Sequence, residues 1–193
     1  KALPMIRLLA SVALAALIPA VSPAMAAAPA RAETTTQLPR TVVPSHYDLT
    51  LTPNPDAMTF DGHVRITVDV VKPTDRIVLN AADLSFGAVA LETGAGKAFG
   101  TATAAVDAHA QTATFTFAKT IPAGRYTLDA SYKGKIYTQA AGLFALDYDG
   151  AAGKQRALYT QFENSDARRM LPSWDEPAYK ATFSLKANVP AGQ

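Results

Sequence analysis

Between Val64 and Val70 the chain alternates strictly: Val64, Ile66, Val68 and Val70 are apolar, while Arg65, Thr67 and Asp69 between them are polar. Successive side chains of an extended strand point to opposite faces, so this pattern lines one face with hydrocarbon and the other with water-seeking groups. A helix would scatter the same residues around its axis and bury polar groups with them. The alternation recurs. Tyr47, Leu49 and Leu51 stand against Asp48, Thr50 and Thr52, and Ala113, Phe115 and Phe117 against Thr112, Thr114 and Thr116. Tyr126, Leu128, Ala130 and Tyr132 follow the same rule, as do Phe183, Leu185, Ala187 and Val189 against Thr182, Ser184, Lys186 and Asn188. Sheets with one wet face pair mainly antiparallel, and the prediction is an all-β domain built as an antiparallel or mixed β-sandwich or a saddle-shaped sheet.

The breaks between strands carry turn chemistry. Pro53 and Pro55 close the first strand, Lys72-Pro73-Thr74-Asp75 ends the Val64–Val70 strand before a short one at Ile77–Leu79, and Pro122 to Gly124 makes a turn. Asp61-Gly62 also reads as a turn. Gly94 to Ala105 is small and polar and reads as a loop, Ala81 to Val89 fits neither period, and no helical period lasts beyond a turn or two.

The N-terminus follows different rules. Residues 1–26 read as a secretory signal peptide: Lys1 and Arg7 are positive, Leu8 to Val21 is apolar apart from Pro19 and a few small residues, and Ala24-Met25-Ala26 is a small-x-small cleavage site. The apolar run is shorter than the roughly 20 residues that a membrane-spanning helix needs. Residues 27–37 read as a flexible leader, and 38–193 as the folded domain. The expected location is therefore exported, either periplasmic or secreted. The 18 basic and 16 acidic residues become equal in number once Lys1 and Arg7 leave with the signal, so no excess charge points to nucleic acid or, after cleavage, to a membrane. There is no cysteine, which excludes disulfides, thiolate nucleophiles and Cys-based metal sites.

Catalytic motifs are lacking. His46, His63 and His109 are far apart, none has a histidine at i+4, and H-E-x-x-H, G-x-S-x-G, P-loop and G-x-G-x-x-G patterns do not occur. The three histidines read as surface or packing residues. No catalytic residue and no metal ligand is predicted here.

Chemistry concentrates in Leu158 to Lys180, which holds a charged cluster, two prolines and the single Trp. Thr160-Gln161-Phe162-Glu163, then Asp166-Ala167-Arg168-Arg169, then Pro172-x-Trp174-Asp175-Glu176-Pro177 resembles the signature of the N-terminal domains of M1-family zinc aminopeptidases, the aminopeptidase N-like metallopeptidases. Further matches are Leu38-Pro39 through Pro44-x-His46-Tyr47-Asp48-Leu49, Gly142-Leu143-Phe144, and Lys180-Ala181-Thr182-Phe183. The resemblance spans about residues 38–193. It implies that Glu163 binds the free α-ammonium of a peptide substrate and that Gln161 lines the same pocket. It also implies a zinc ion, its ligands and a general base in a downstream catalytic domain, since the G-A-M-E-N and H-E-x-x-H motifs do not occur in these residues. A chain of this extent is expected to be inactive alone and to form part of a longer enzyme. Ser173 stands where relatives often carry Cys.

The residue pattern is compatible with that role. On a strand, residues 161 and 163 would project from one face with Phe162 turned away. A carboxylate gripping an ammonium in a cleft makes a charge-assisted hydrogen bond that fixes the distance from amino end to scissile bond. The same two residues also fit the wet face of an ordinary strand, and the whole chain also fits a free-standing exported β-sandwich that binds a peptide or protein. Asp166, Arg168, Arg169, Asp175 and Glu176 read as a structural ion-pair cluster, and Trp174 as packing.

Overall fold

The computed structural model describes residues 37–151 and 153–189. The segments read as signal peptide and, up to residue 36, as leader lie outside the described residues. Ten strands form: β1 (Val42–Asn54), β2 (Thr59–Val70), β3 (Thr74–Asn80), β4 (Ser85–Thr93), β5 (Ala98–Asp107), β6 (Thr112–Ile121), β7 (Gly124–Lys135), β8 (Gly142–Gly150), β9 (Gly153–Gln161) and β10 (Thr182–Ala187). Among the described residues the helical content is one 3₁₀ turn, Ala167–Arg169. The all-β class is as expected.

Eight strands make one sheet in the order β10-β1-β2-β7-β4-β5-β6-β3, and β8 and β9 form a separate hairpin. The sheet curls into a half-barrel and does not split into a two-sheet sandwich. The curl lies at β5, whose first residues pair with β4 while Ala102 to Asp107 pair with β6. Curling brings β6 over β4, where the Phe86 and Phe115 rings meet edge to face at 5.0 Å. All pairs are antiparallel except β1 with β10, which run parallel. The alternating residues of β2 and β7 supply the centre of the core: Val64, Ile66, Val68, Leu128 and Ala130 are fully buried. Each of the Val, Ile and Leu side chains contributes roughly 1.5–3 kcal/mol on leaving water.

Three expectations change. Asp61-Gly62 is not a turn but lies within β2, the turn being at residues 55–58. Gly62 faces Tyr132 across the β2–β7 ladder, and two pairs away, on the same face, Phe60 faces Gly134. A Cβ on Gly62 would sit 2.3 Å from the Tyr132 ring, and one on Gly134 2.3 Å from the Phe60 ring. Each glycine therefore makes room for the opposite aromatic, and the two rings meet edge to face at 6.2 Å. Second, most of the predicted loop Gly94–Ala105 is β5. Phe99 packs inward against Phe117 and Tyr126, but the inward positions that follow are Ala102 and Ala104, too small to extend an apolar face, and the strand is held by pairing on both sides. Third, β10 has all six residues exposed, so its apolar face is not buried within the described residues.

Candidate functional site

The hairpin of β8 and β9 delivers Gln161 as the last residue of β9, opposite Gly142. Gln161 is exposed, and Phe162 turns inward against the core. The ladder stops there, because the Asp166 N–H donates to the Phe162 carbonyl at 2.9 Å and closes a turn over Glu163–Asp166. Glu163 therefore sits on a turn, not on a strand, and the expected i, i+2 alignment with Gln161 does not hold. Both side chains are nevertheless exposed, on either side of the inward-facing Phe162.

The arginines beside this turn are engaged elsewhere. Arg168 Nε donates to Asp175 Oδ2 at 2.9 Å, and Arg169 Nε donates to Asp166 Oδ1 at 2.7 Å. Both arginines are largely buried, and their carboxylate partners with them. The Glu163 carboxylate has no hydrogen-bond or ion-pair partner among the described residues.

The charged cluster has the structural part read from the sequence, with two members the sequence did not reveal. Arg169 also donates to Asp83 Oδ2 and to the Tyr137 hydroxyl, each at 3.2 Å, and its guanidinium lies 5.5 Å from the Tyr137 ring centre. Asp83 comes from the β3–β4 connection and Tyr137 from the β7–β8 connection, more than 30 residues from Arg169. No local pattern marks either one. Hydrogen bonds from Lys135 and Tyr137 hold the Asp83 carboxyl below the usual carboxylate range. Burial, then the bond to Asp83, pushes the Tyr137 hydroxyl up to about 12. Asp166, first, and Tyr137 stabilise the charge on Arg169. Glu176, read as part of the cluster, stands outside it: neither Arg168 nor Arg169 binds it, and it accepts the Leu38 N–H at 2.5 Å, tying the start of the domain to the end of the segment.

Trp174 is buried packing, as read from its sequence context. With Tyr47, Phe162, Tyr179, Phe183 and Leu185 it lines an apolar groove of about 390 Å³ beside β10. Trp174 Nε1 and Ser173 Oγ are buried polar atoms with no hydrogen-bond partner among the described residues. Burial of such groups costs free energy until a partner is supplied.

The histidines do not converge. His46 contacts Thr182 and Asp48 at the β1–β10 edge, His63 contacts Asp129 on the wet face of β2 and β7, and His109 is exposed. Asp48 and Ser184 both approach the same His46 nitrogen, Nε2, so no Ser-His-Asp relay forms. Among the described residues no group of three or more His, Cys, Asp or Glu could hold a metal ion. The zinc implied by the resemblance thus has no ligand set among the described residues.

Residues 43–193 match the family model described as the peptidase M1 N-terminal domain. Aminopeptidase N of Acetobacter pasteurianus is 41% identical over 155 residues, a match covering 80% of this chain and 42% of that protein. Aminopeptidase M1 of Arabidopsis thaliana is 36% identical over 157 residues, covering 80% of this chain and 18% of that protein. Aminopeptidase M1-D of Oryza sativa subsp. japonica is 35% identical over 167 residues, covering 86% and 19%. The chain therefore spans less than half the length of each of these relatives.

Proposed function

This chain belongs to the M1 peptidase family as its N-terminal domain, and on that premise we propose that it serves an exported zinc aminopeptidase by holding the amino end of the peptide substrate. In this reading Glu163 accepts the substrate α-ammonium and Gln161 lines the same pocket. The observation that carries it is a carboxylate left exposed and unpaired in the middle of the signature segment, while both neighbouring arginines are bound to other carboxylates. A grip of this kind orients the substrate and sets which bond is reached, without itself breaking a bond. The zinc, its ligands and the general base would lie in polypeptide outside this domain. The uncovered side of β10, the groove beside it and the unpartnered Trp174 donor support a second domain docking there. They weigh against the free-standing module. Export rests on residues 1–26 as a signal peptide.

The deciding experiment is Glu163→Ala in the full-length enzyme, assayed on a substrate with a free α-amine. An unchanged kcat/KM would remove the anchor.

A further inference from the structure

Glu163 stands on a five-residue excursion that leaves the hairpin at Gln161 and enters the 3₁₀ turn at Ala167. Within it, the Ser165 hydroxyl bonds only to neighbouring Asn164, and the Asp166 N–H bonds back to Phe162. Such contacts shape the excursion without tying residues 163–166 to other elements. Phe162 packs its root against the core, and beyond that residue the side chain that joins the excursion to distant elements is Asp166, through Arg169.

Arg169 meets three separate parts of the chain. It binds Asp166 on the Glu163 turn, Asp83 after β3 and Tyr137 after β7. Its Cβ also lies against Gly142, where a glycine Cβ would approach to 2.7 Å. Gly142 is the ladder partner of Gln161. Tyr137 is itself bound to the hairpin, since its N–H donates to the Leu143 carbonyl and its carbonyl accepts the Ala145 N–H. The base of the hairpin and the turn after it are thus referred to one guanidinium. A guanidinium suits this, because its planar fork holds several acceptors in fixed directions.

We propose that Arg169 is a positioning residue for the amino-end anchor, setting the Glu163 turn at a fixed place relative to Gln161 through its bonds to Asp166, Tyr137 and Asp83. The inference rests on the anchor reading of Glu163, and its test separates the two. In the full-length enzyme, kcat and KM for alanine p-nitroanilide are measured for Glu163→Gln, Arg169→Met and the double variant. A residue that acts through Glu163 matters only while Glu163 can act. The expected result is a loss in kcat/KM of about tenfold or more for Arg169→Met alone, shrinking to less than about twofold in the Glu163→Gln background. Equal losses in both backgrounds, or none in either, would overturn the positioning role and leave the anchor standing. If Glu163→Gln alone were silent, the anchor itself would fall, and this inference with it. Should Arg169→Met not fold, Asp166→Ala decides by the same cycle, since it removes the acceptor that links Arg169 to the turn and leaves Arg169 its bonds to Tyr137 and Asp83.

Discussion

Gly62 and Tyr132 occupy a single pair position on the β2–β7 ladder, and the tyrosine ring fills the space where a Cβ on the glycine would be. A methyl there would stand 2.3 Å from the ring carbon bearing the hydroxyl. Tyr132 cannot retreat freely, because its hydroxyl donates to the buried Met170 carbonyl at 3.1 Å, just after the signature's 3₁₀ turn. Gly62→Ala should therefore destabilise the domain by about 1–3 kcal/mol, the usual cost of overpacking. Denaturant unfolding of the two proteins measures it, and a loss below half a kilocalorie would refute the ring's confinement.

Glu163→Ala should separate function from stability. An exposed carboxylate with no partner contributes little to folding, so the unfolding free energy should stay within about 0.5 kcal/mol of the parent. Removing one side of a desolvated ion pair with substrate should instead cost about 2–5 kcal/mol of transition-state binding for free-amine substrates in the full-length enzyme. A shift in thermal midpoint equal to that of a core substitution would mean that Glu163 is structural.

Asp83 should give the stability of the domain an acid-side pH dependence. Its carboxyl is held below the ordinary range by hydrogen bonds from Lys135 and Tyr137. The folded state thus binds fewer protons than the unfolded state, and stability rises with pH across that interval. The contribution is complete above the unfolded carboxylate pKa of about 3.9 and is lost as pH falls through the lower folded value. Asp83→Asn should flatten that limb in denaturant melts recorded from pH 6 down to pH 2. Tyr137 acts at the other end. Its raised pKa of about 12 stabilises the fold up to the ordinary tyrosine value, and the contribution fades as pH climbs through 12. Tyr137→Phe should make the alkaline limb shallower near pH 12, the buried Tyr47 and Tyr132 hydroxyls, raised further by desolvation, keeping the remainder.

The side of β10 left uncovered should make the isolated domain associate. Leu185 is 65% exposed and Val189 52% exposed, beside an apolar groove. Apolar surface gathered in one patch seeks a partner. Light scattering on residues 27–193 should show concentration-dependent association that Leu185→Ser with Val189→Ser reduces. Phe183 is best left intact in this test, because it stacks on Tyr47 at 4.7 Å and supports β1. A monodisperse monomer at all concentrations would argue against a docking face.

The strands with strong alternation were legible before any coordinates. Val64–Val70 and Tyr126–Tyr132 declare their buried faces because side-chain direction in a strand depends on sequence parity alone. The segment from Leu158 to Lys180 was legible for another reason, since its ordered motif carries the family likeness. What failed was local inference beyond its reach. β5 is hidden because a single inward aromatic, Phe99, is followed by alanines at 102 and 104, and Gly62 misleads because a glycine that makes room for a ring looks like one that makes a turn.

The amino-acid order by itself determined the all-β class and the buried faces of the main strands, and through its resemblance to the M1 family it pointed to Gln161 and Glu163. Tertiary structure alone decided that the sheet curls at β5, that β10 pairs parallel with β1, and that Glu163 leaves the strand on a turn tied by Arg169 to Asp83 and Tyr137. The physical reason is range. Side-chain periodicity is written in neighbouring residues, whereas strand partners and shared guanidinium bonds join positions that only folding brings within a few ångströms.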